Sequence, residues 1–226
     1  MDQSGCGMKV NTDGVLLGAL LPTVEPRSIL DIGTGTGVIA LMLAQRNQGA
    51  QIDAVEIDDD AAETAHSNFK ESIYSDRLKL YHSSFEKFSC NFLDQKYDLI
   101  VSNPPFFTNA LHNPDRKKLI ARHASNSLFN DLTTFVRQHL TVSGRGYFIL
   151  PNDAAKEIIK QADVKGLYLQ HEISIHSSRS KPHHRTIIGL GFENTQTIEE
   201  SFVIYEAEKV HSEQYRKALK EFLTIF

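Results

Sequence analysis

The sequence predicts an α/β fold with a mostly parallel seven-stranded sheet, helices on both faces and an antiparallel C-terminal edge. Short apolar, partly β-branched runs alternate with longer amphipathic stretches, a repetition typical of βαβ units. In the last third of the chain, strand-like runs follow one another with few helical interludes, which predicts antiparallel pairing. No internal repeat, low-complexity tract or Pro/Ser-rich linker interrupts the 226 residues. We therefore expect a single domain over residues 1–226.

The apolar runs place the predicted strands at 28–32, 52–56, 78–81, 97–101, 146–150, 170–175 and 186–192. Amphipathic periodicity places the helices between or after them, at 37–46, 58–72, 131–140, 153–162 and about 211–222. Asp58, Asp131 and Asn152 occupy positions where N-caps are expected. The Asp13-Gly14 turn precedes another apolar stretch, so it indicates a further helix start near the N-terminus.

Composition excludes several function classes. Lys and Arg total 24 against 28 for Asp and Glu, a net charge of −4, so the chain lacks the global basic field of a non-specific nucleic-acid binder. No apolar run reaches the roughly 18 residues of a membrane span, and no secretory signal opens the chain. Two cysteines cannot build a disulfide framework, and the adjacent pair His183-His184 lacks further ligands at metal-site spacing. We expect a cytoplasmic monomer with no membrane association and no metal.

The sharpest local signal is the run DIGTGTG, which begins at Asp31, follows a predicted strand and opens a predicted helix. Gly33, Gly35 and Gly37 let the backbone turn tightly and approach a ligand closely. A dinucleotide fingerprint requires G-x-G-x-x-G, and Val38 breaks that frame. Asp31 suits the ammonium of an amino acid better than a pyrophosphate. The run resembles the acidic-x-G-x-G-x-G motif of S-adenosylmethionine-dependent methyltransferases, which makes S-adenosyl-L-methionine the expected cofactor.

Two further loops extend the predicted cofactor site. Glu56 ends the second strand, where a carboxylate can accept hydrogen bonds from a ribose diol, and Ile57 follows it. Dehydrogenases also place an acid there, so Glu56 indicates an adenosyl ribose without choosing the cofactor. Ser84 and the backbone of Phe85 follow the third strand, where they are candidates to contact the adenine edge. The alternative is that Glu56 only caps its strand.

The fourth strand runs into NPPFF, which predicts a site for a planar amine. The two prolines remove two N–H donors, and the Asn103 side chain adds an acceptor. The Asn103 amide oxygen and the Pro104 carbonyl would localise the lone pair of an exocyclic amine, and Phe106 would stack on the target base. The run resembles the Asn-Pro-Pro-Phe/Tyr signature of adenine N6 methyltransferases. That signature also occurs in enzymes for guanine N2 or glutamine, so the substrate stays open at this point.

The opening of the chain resembles one family in particular. Residues 8–18, MKVNTDGVLLG, are similar to the MKV-x-TDG-x-LLG opening of bacterial tRNA1(Val) adenine-37 N6-methyltransferases. The glycine run, Glu56 and the Asn-Pro-Pro-Phe loop follow at the expected intervals. The tail from Tyr205 through Tyr215 to Leu223 is also similar, so the resemblance spans nearly the whole chain.

The resemblance implies a Rossmann-like class I methyltransferase fold and methylation of the adenosine immediately 3′ of a tRNA anticodon. It further implies that the N-terminal segment, residues 1–25, covers the methionine end of the cofactor. Carried to this sequence, that gives Lys9 and Thr12 as contacts to the cofactor carboxylate.

Two basic groups are candidate tRNA contacts. Arg116, Lys117, Lys118 and Arg122 follow the Asn-Pro-Pro-Phe loop by about a dozen residues, where they could meet phosphates flanking a flipped adenosine. The second group, residues 179–185 with Lys181 and Arg185, lies between two late strands and resembles the family's basic loop. Charge runs are more often simple solvated faces, and that alternative remains for both groups.

Three alternative functions compete with the leading hypothesis. The first keeps the chemistry and changes the acceptor to guanine N2 or adenine N6 of rRNA, or a release-factor glutamine. Phe106 in place of Tyr opposes the release-factor version. The second, a nicotinamide-dependent dehydrogenase, is opposed by Val38 and by the lack of a proton donor beside Asn103. The third, a silent RNA-binding relic, has no need to keep Asp31, Glu56 and Asn103 together.

Overall fold

The structure is a computed structural model that describes residues 2–3, 9–22, 25–105 and 114–223, with the backbone alone for 114–126. Within these ranges one sheet contains nine strands. They are β1 (Ser28–Ile32), β2 (Gln51–Glu56), β3 (Leu78–His82), β4 (Tyr97–Ser102), β5 (Leu140–Leu150), β6 (Tyr168–Ser178), β7 (His183–Gly191), β8 (Ile198–Ala207) and β9 (Val210–His211).

The described helices lie between the strands and at both ends of the chain. They are α1 (Thr12–Leu20), α2 (Val38–Arg46), α3 (Asp59–Glu71), α4 (Phe85–Asn91), α5 (Pro114–His139), α6 (Asn152–Val164) and α7 (Glu213–Leu219), with a 3-10 turn at Ser75–Arg77. None of the helices in the described ranges is both long enough and apolar enough to cross a membrane.

The strand order is β3-β2-β1-β4-β5-β7-β6-β8-β9. Strands β1 to β5 are all parallel to one another, β7 runs antiparallel to β5 and β6, and β8 returns parallel to β6. The predicted antiparallel C-terminal edge is confirmed. The predicted number of seven strands is wrong, because β8 and β9 extend the described sheet to nine. In β8 only Phe202 and Ile204 are buried, so its apolar alternation is too short to predict a strand.

Each face of the sheet carries its own apolar core. One core packs α1, α2, α3 and α7 against the sheet, with Leu17, Leu43, Phe69 and Leu219 all buried. The other packs α4, α5 and α6 against the opposite face, through residues such as Ile158. Helices on both faces, as predicted, leave only the ends of the strands open for a ligand.

Two of the predicted helix starts are confirmed. Asp58 caps α3, where its Oδ1 accepts a hydrogen bond from the Ala61 amide at 2.9 Å. The helix predicted near Asp13 begins at Thr12, and the side chain of Asn11 caps it.

The predictions for Asp131 and Asn152 as N-caps are wrong. Asp131 lies inside α5, which begins at Pro114. Asn152 is the first residue of α6, and its side-chain Nδ2 instead donates to the His183 carbonyl at 2.8 Å. Its Oδ1 accepts from Thr186 at 3.2 Å, so the side chain joins α6 to β7.

Candidate active site

A cavity of about 460 Å³ opens at the carboxyl ends of β3, β2, β1 and β4. The chain runs from β1 to β2 and β3 on one side of β1 and then crosses back to β4 on its other side. Open α/β sheets bind ligands where the strand order reverses in this way. Its volume lies in the usual range for small-molecule sites. The wall is built mainly from residues 9–11, 32–36, 55–58, 83–86 and 102–105, with Leu128 and Leu132 of α5. Gly14, Val38, Ile39 and Ala61 complete it.

The glycine run forms the floor of the cavity. Gly33 and Gly35 have φ values of 69° and 57°, which favour glycine. A Cβ at either position would meet nothing within 4 Å. Protein packing therefore does not require glycine at these two positions, whereas their backbone conformation favours it, and the space above them is open. The amides of Gly33 and Thr34 both donate to the Val55 carbonyl, which fixes the loop against β2.

Gly37, predicted as a cofactor contact, lies outside the cavity wall and serves helix packing. It has a φ of 83°, and a Cβ there would lie 2.5 Å from Cε1 of Phe69. We expect Gly37→Ala to lower the free energy of unfolding by about 2–4 kcal/mol, combining left-handed strain with overpacking. Urea denaturation measures the change. Gly49→Ala, at an exposed position where a Cβ meets nothing, is the matched control. Equal changes in the two variants would contradict the packing role.

Asp31 is fully buried beneath this loop, and only one of its two carboxylate oxygens is hydrogen-bonded. Its Oδ2 accepts a hydrogen bond from the Thr34 hydroxyl at 2.6 Å, whereas its Oδ1 has no hydrogen-bond partner within the described ranges. Burial raises the pKa of Asp31 to about 7, and the nearby Glu56 carboxylate adds to that rise against the Thr34 hydrogen bond. A buried carboxylate with an open oxygen is a binding position for a cation or a strong donor.

Glu56 lies at the carboxyl end of β2, where backbone amides hold its carboxylate. Oε2 accepts from the Gly35 amide at 2.8 Å, and Oε1 accepts from Ile57 and Asp58 at 2.8 and 3.0 Å. A carboxylate has about four acceptor positions, so one remains open on Oε2. Glu56 is therefore more than a strand cap: it is a fixed acceptor at the cavity wall.

Asn103 follows β4 at the cavity and supplies a second open acceptor. Its Oδ1 is buried and has no hydrogen-bond partner among the residues that the structure describes. Pro104 and Pro105 come next and also line the cavity, and neither has an N–H group. The structure thus places the predicted amine-binding loop and the predicted cofactor loop at one cavity.

Known methyltransferases are similar to the chain over most of its length. Residues 7–142 match the family model described as the methyltransferase small domain. A curated tRNA1(Val) (adenine(37)-N6)-methyltransferase of Pedobacter heparinus is 45% identical over 227 residues, covering 100% of this chain and 95% of that protein. This chain belongs to the tRNA1(Val) (adenine(37)-N6)-methyltransferase family. The relative of that name from Bacteroides fragilis is 39% identical over 96% of this chain and 91% of its own length. The resemblance drawn from the sequence is confirmed.

Solved structures confirm the methyltransferase fold. A predicted O-methyltransferase, protein Atu636 of Agrobacterium tumefaciens, aligns with a TM-score of 0.71 at 16% identity, covering 92% of this chain and 96% of that one. The ribosomal protein L11 methylase of Lactobacillus delbrueckii aligns with a TM-score of 0.57 at 18% identity, covering 79% and 76%. At such identities the likeness shows the architecture alone.

In this methyltransferase the two residues predicted to contact the adenine lie at the start of α4, a helix that was not predicted from the sequence. Ser84 caps α4 by accepting from the Lys87 amide at 3.3 Å, and Phe85 is the first residue of that helix. Both line the cavity, as does Ile57, a residue that is 69% exposed. Ser84 and Phe85 follow β3 and therefore form one end of the cavity. Asn103 follows β4 and lies at the other end, with Glu56 of β2 between them.

Of the two residues predicted to contact the cofactor carboxylate, one lies at the cavity and the other does not. Lys9 lines the cavity, whereas Thr12 begins α1 outside the wall. The neighbouring Asn11, which was not predicted, both lines the cavity and caps α1 through the Gly14 amide. An Asn before an apolar helix is the signal that would have identified it.

Several predicted substrate contacts lie outside the described part of the chain. Phe106 is one, and the others are the side chains of Arg116, Lys117, Lys118 and Arg122. Lys181 is exposed in the turn between β6 and β7. Arg185 pairs with Asp13 of α1, with Nε 2.7 Å from Oδ2, so it connects β7 to the segment beside the cavity.

Sequence reasoning missed two buried polar residues that support the site. Thr34 orients Asp31, and Asn68 of α3 holds the glycine run from behind. The Asn68 amide donates to the Thr36 and Asp2 carbonyls at 2.9 Å each, and its oxygen accepts from the Asp2 amide at 2.7 Å. A polar residue on the apolar side of the α3 pattern was the available signal. Among the side chains that the structure describes, no three His, Cys, Asp or Glu cluster as metal ligands.

Proposed function

We propose that this enzyme transfers a methyl group from S-adenosyl-L-methionine to N6 of the adenine at position 37 of a tRNA, with tRNA1(Val) as the first candidate. The observation that carries the proposal is the buried Oδ1 of Asn103 at the cavity, which has no partner in the described part of the chain. An acceptor kept dry and unsatisfied has a free-energy reason to receive an N–H donor. Relatives with 45% and 39% identity, named for this reaction, support the adenine and the tRNA.

The residues around the cavity fit this cofactor. The open oxygen of Asp31 suits the ammonium group, and the last acceptor position of Glu56 suits a ribose hydroxyl. The empty space above Gly33 and Gly35 leaves room for the backbone to approach it. When bound, S-adenosylmethionine supplies an electrophilic methyl group on a sulfonium. Lys9 is positioned at the wall to meet a carboxylate.

Asn103 and the Pro104 carbonyl act on the acceptor. The lone pair of an adenine N6 is delocalised into the ring, so the amine is a poor nucleophile. Hydrogen bonds from the amine to these two oxygens localise the lone pair and aim it into the cavity. No strong base is required, since the methylated nitrogen is acidic and releases its proton. The chain thus acts by positioning and electrostatics, with Phe106 proposed to stack on the base.

The raised pKa of Asp31 predicts a pH-dependent cofactor affinity. The carboxylate form binds the ammonium, and with a pKa of about 7 that form is depleted at lower pH. Calorimetric titrations should therefore show the dissociation constant rising about tenfold for each pH unit below 7, with proton release on binding near pH 6.5. Between pH 7 and 8 the constant should change little. An affinity that is flat from pH 8 to 6 would contradict the assignment of Asp31.

We further propose that residues 1–25 cover the cofactor within one domain spanning 1–226. Three contacts support this: Lys9 at the cavity wall, Asn68 on the backbone of Asp2, and the ion pair of Asp13 with Arg185. The fold also suits a single domain, because one sheet separates the two cores. We expect the enzyme to work as a monomer in the cytoplasm, because its tRNA substrate is found there.

An acceptor comparison tests the proposed function. Enzyme and methyl-tritiated cofactor are incubated separately with tRNA, with rRNA and with a release factor, each isolated from cells that lack the gene. We expect label in the tRNA fraction, recovered as N6-methyladenosine after digestion to nucleosides. Label in guanine N2 or in a glutamine side chain would instead assign the cavity to another planar amine.

A further inference from the structure

Three aromatic rings form a column at the C-terminal border of the sheet, away from the cavity. Tyr205 stacks on His211 with centroids 5.1 Å apart and planes at 21°, and His211 stacks on Tyr215 at 4.4 Å and 19°. Tyr215 is buried against Phe202 in the core, whereas Tyr205 is 38% exposed. The column is therefore anchored inside the protein and ends at the surface in one tyrosine ring.

A turn with two basic residues, Arg179 and Lys181, adjoins the ring of Tyr205. Strand register pairs Ser178, the last residue of β6, with Tyr205. The following turn is closed by a hydrogen bond from the Lys181 amide to the Ser178 carbonyl at 3.1 Å, and the His176 ring bonds the Lys181 carbonyl at 2.9 Å. Arg179 and Lys181 are exposed on it, and neither forms an ion pair with any residue in the described ranges. Two cationic side chains thus extend from a fixed turn beside an aromatic platform.

The aromatic column and the basic turn lie on the same side of the sheet as the cavity, at the carboxyl ends of the parallel strands. Strands β6 and β8 run in the same direction as β4, so their carboxyl ends lie on the side where Asn103 follows β4. Four strand spacings separate β4 from β8, which is about 19 Å. The ion pair of Arg185 with Asp13 joins the base of the basic turn to the segment beside the cavity. A substrate bound at Asn103 can therefore reach Tyr205 through a few nucleotides of single strand.

We propose that Tyr205 is a stacking platform for a base of the RNA substrate and that Arg179 and Lys181 hold the adjoining phosphates. This inference rests on the proposed function, because a loop beside an anticodon presents unpaired bases, and proteins recognise such bases by aromatic stacking. Glu206 and Glu208, near the turn from β8 to β9, reduce the positive charge of this surface. Stacking needs no net charge, so the ring carries the contact that survives at high salt.

The test measures binding of unmodified tRNA1(Val) by fluorescence anisotropy over a series of KCl concentrations. Tyr205→Ala should weaken binding roughly tenfold at every salt concentration, in line with the loss of one stacked base, whereas Tyr205→Phe should bind like the wild type. The double variant Arg179→Ala/Lys181→Ala should instead reduce the slope of log K against log salt by about 1.4. Cofactor affinity should stay unchanged in all three.

Controls separate the possible failures. Tyr168→Ala, at the opposite edge of the sheet, should leave RNA binding unchanged. Tyr205→Leu keeps apolar bulk without a ring, so it should weaken binding like Ala while preserving the thermal midpoint. Wild-type RNA affinity in both Tyr205→Ala and Tyr205→Leu, with methyl transfer intact, would overturn this inference alone. A wild-type enzyme that neither binds nor methylates tRNA would overturn the proposed function as well.

Discussion

Asn103→Ala is expected to reduce the single-turnover rate of methyl transfer by at least about a thousandfold, with cofactor affinity within about threefold of the wild type. The substitution removes the buried Oδ1 that would receive the amine, and comparable losses follow when one preorganised polar group is deleted from an active site. Rapid quench with labelled cofactor measures the rate, and calorimetry measures the affinity. The split between the two quantities is what the amine-positioning account predicts.

Two further variants sharpen this experiment. Asn103→Asp keeps an acceptor oxygen at the same place, so it should retain more activity than Asn103→Ala. Asn91→Ala, at the exposed end of α4, is the matched control and should be unchanged. Full transfer by Asn103→Ala would remove the amine-positioning account, and a loss of cofactor binding equal to the loss of rate would make Asn103 a cofactor residue instead.

Asp31→Asn is expected to weaken cofactor binding by more than about a hundredfold and, at the same time, to stabilise the ligand-free protein. Raising the pKa of a buried carboxylate from 3.8 to about 7 means that folding loses roughly 4 kcal/mol at pH 8, where the group must be ionised in a dry site. Asn removes that penalty and keeps an acceptor for Thr34. An unpaired amide costs about 1–3 kcal/mol in return, which leaves a gain of about 1–3 kcal/mol.

Denaturation and calorimetry test both halves of this prediction. The stability gain of about 1–3 kcal/mol corresponds to a rise in the thermal midpoint of about 2–12 °C for a chain of this size at pH 8. The rise should shrink as the pH falls from 7 toward 4, because the wild-type carboxyl is then protonated and its penalty disappears. Asp76→Asn, an exposed substitution of the same kind, should leave stability and cofactor affinity unchanged. A destabilised Asp31→Asn, or one that binds the cofactor like the wild type, would contradict the role of Asp31.

Local sequence signals predicted the part of the fold that carries the cavity. The first strand was predicted with both ends correct, and the second and fourth lie within one residue of their predicted bounds. Such buried parallel strands are short apolar runs that end in a turn with its own chemistry. Because Asp31, Glu56 and Asn103 each belong to a strand or follow it directly, the topology brings them to one edge. That is why three distant positions could be predicted to form one site.

Contacts made by residues far apart in sequence were not predictable in this way. Arg185 and Asp13 are 172 residues apart, and only the folded structure reveals their ion pair. Asn152 had the residue type of an N-cap, but its side chain bonds β7, so tertiary contacts outweighed local preference. The Tyr205 column depends on the pairing of β8 with β9, a short antiparallel ladder that periodicity did not indicate.

The central claim concerns the atom that receives the methyl group, and position mapping tests it most directly. Bulk tRNA from a strain lacking the gene is incubated with the purified enzyme and S-adenosylmethionine, digested with a guanine-specific ribonuclease, and analysed by mass spectrometry. The account predicts one new N6-methyladenosine, in the fragment that contains position 37, and none with Asn103→Ala. A methyl group on guanine N2, on an adenine away from the anticodon, or on no tRNA nucleotide at all would contradict it.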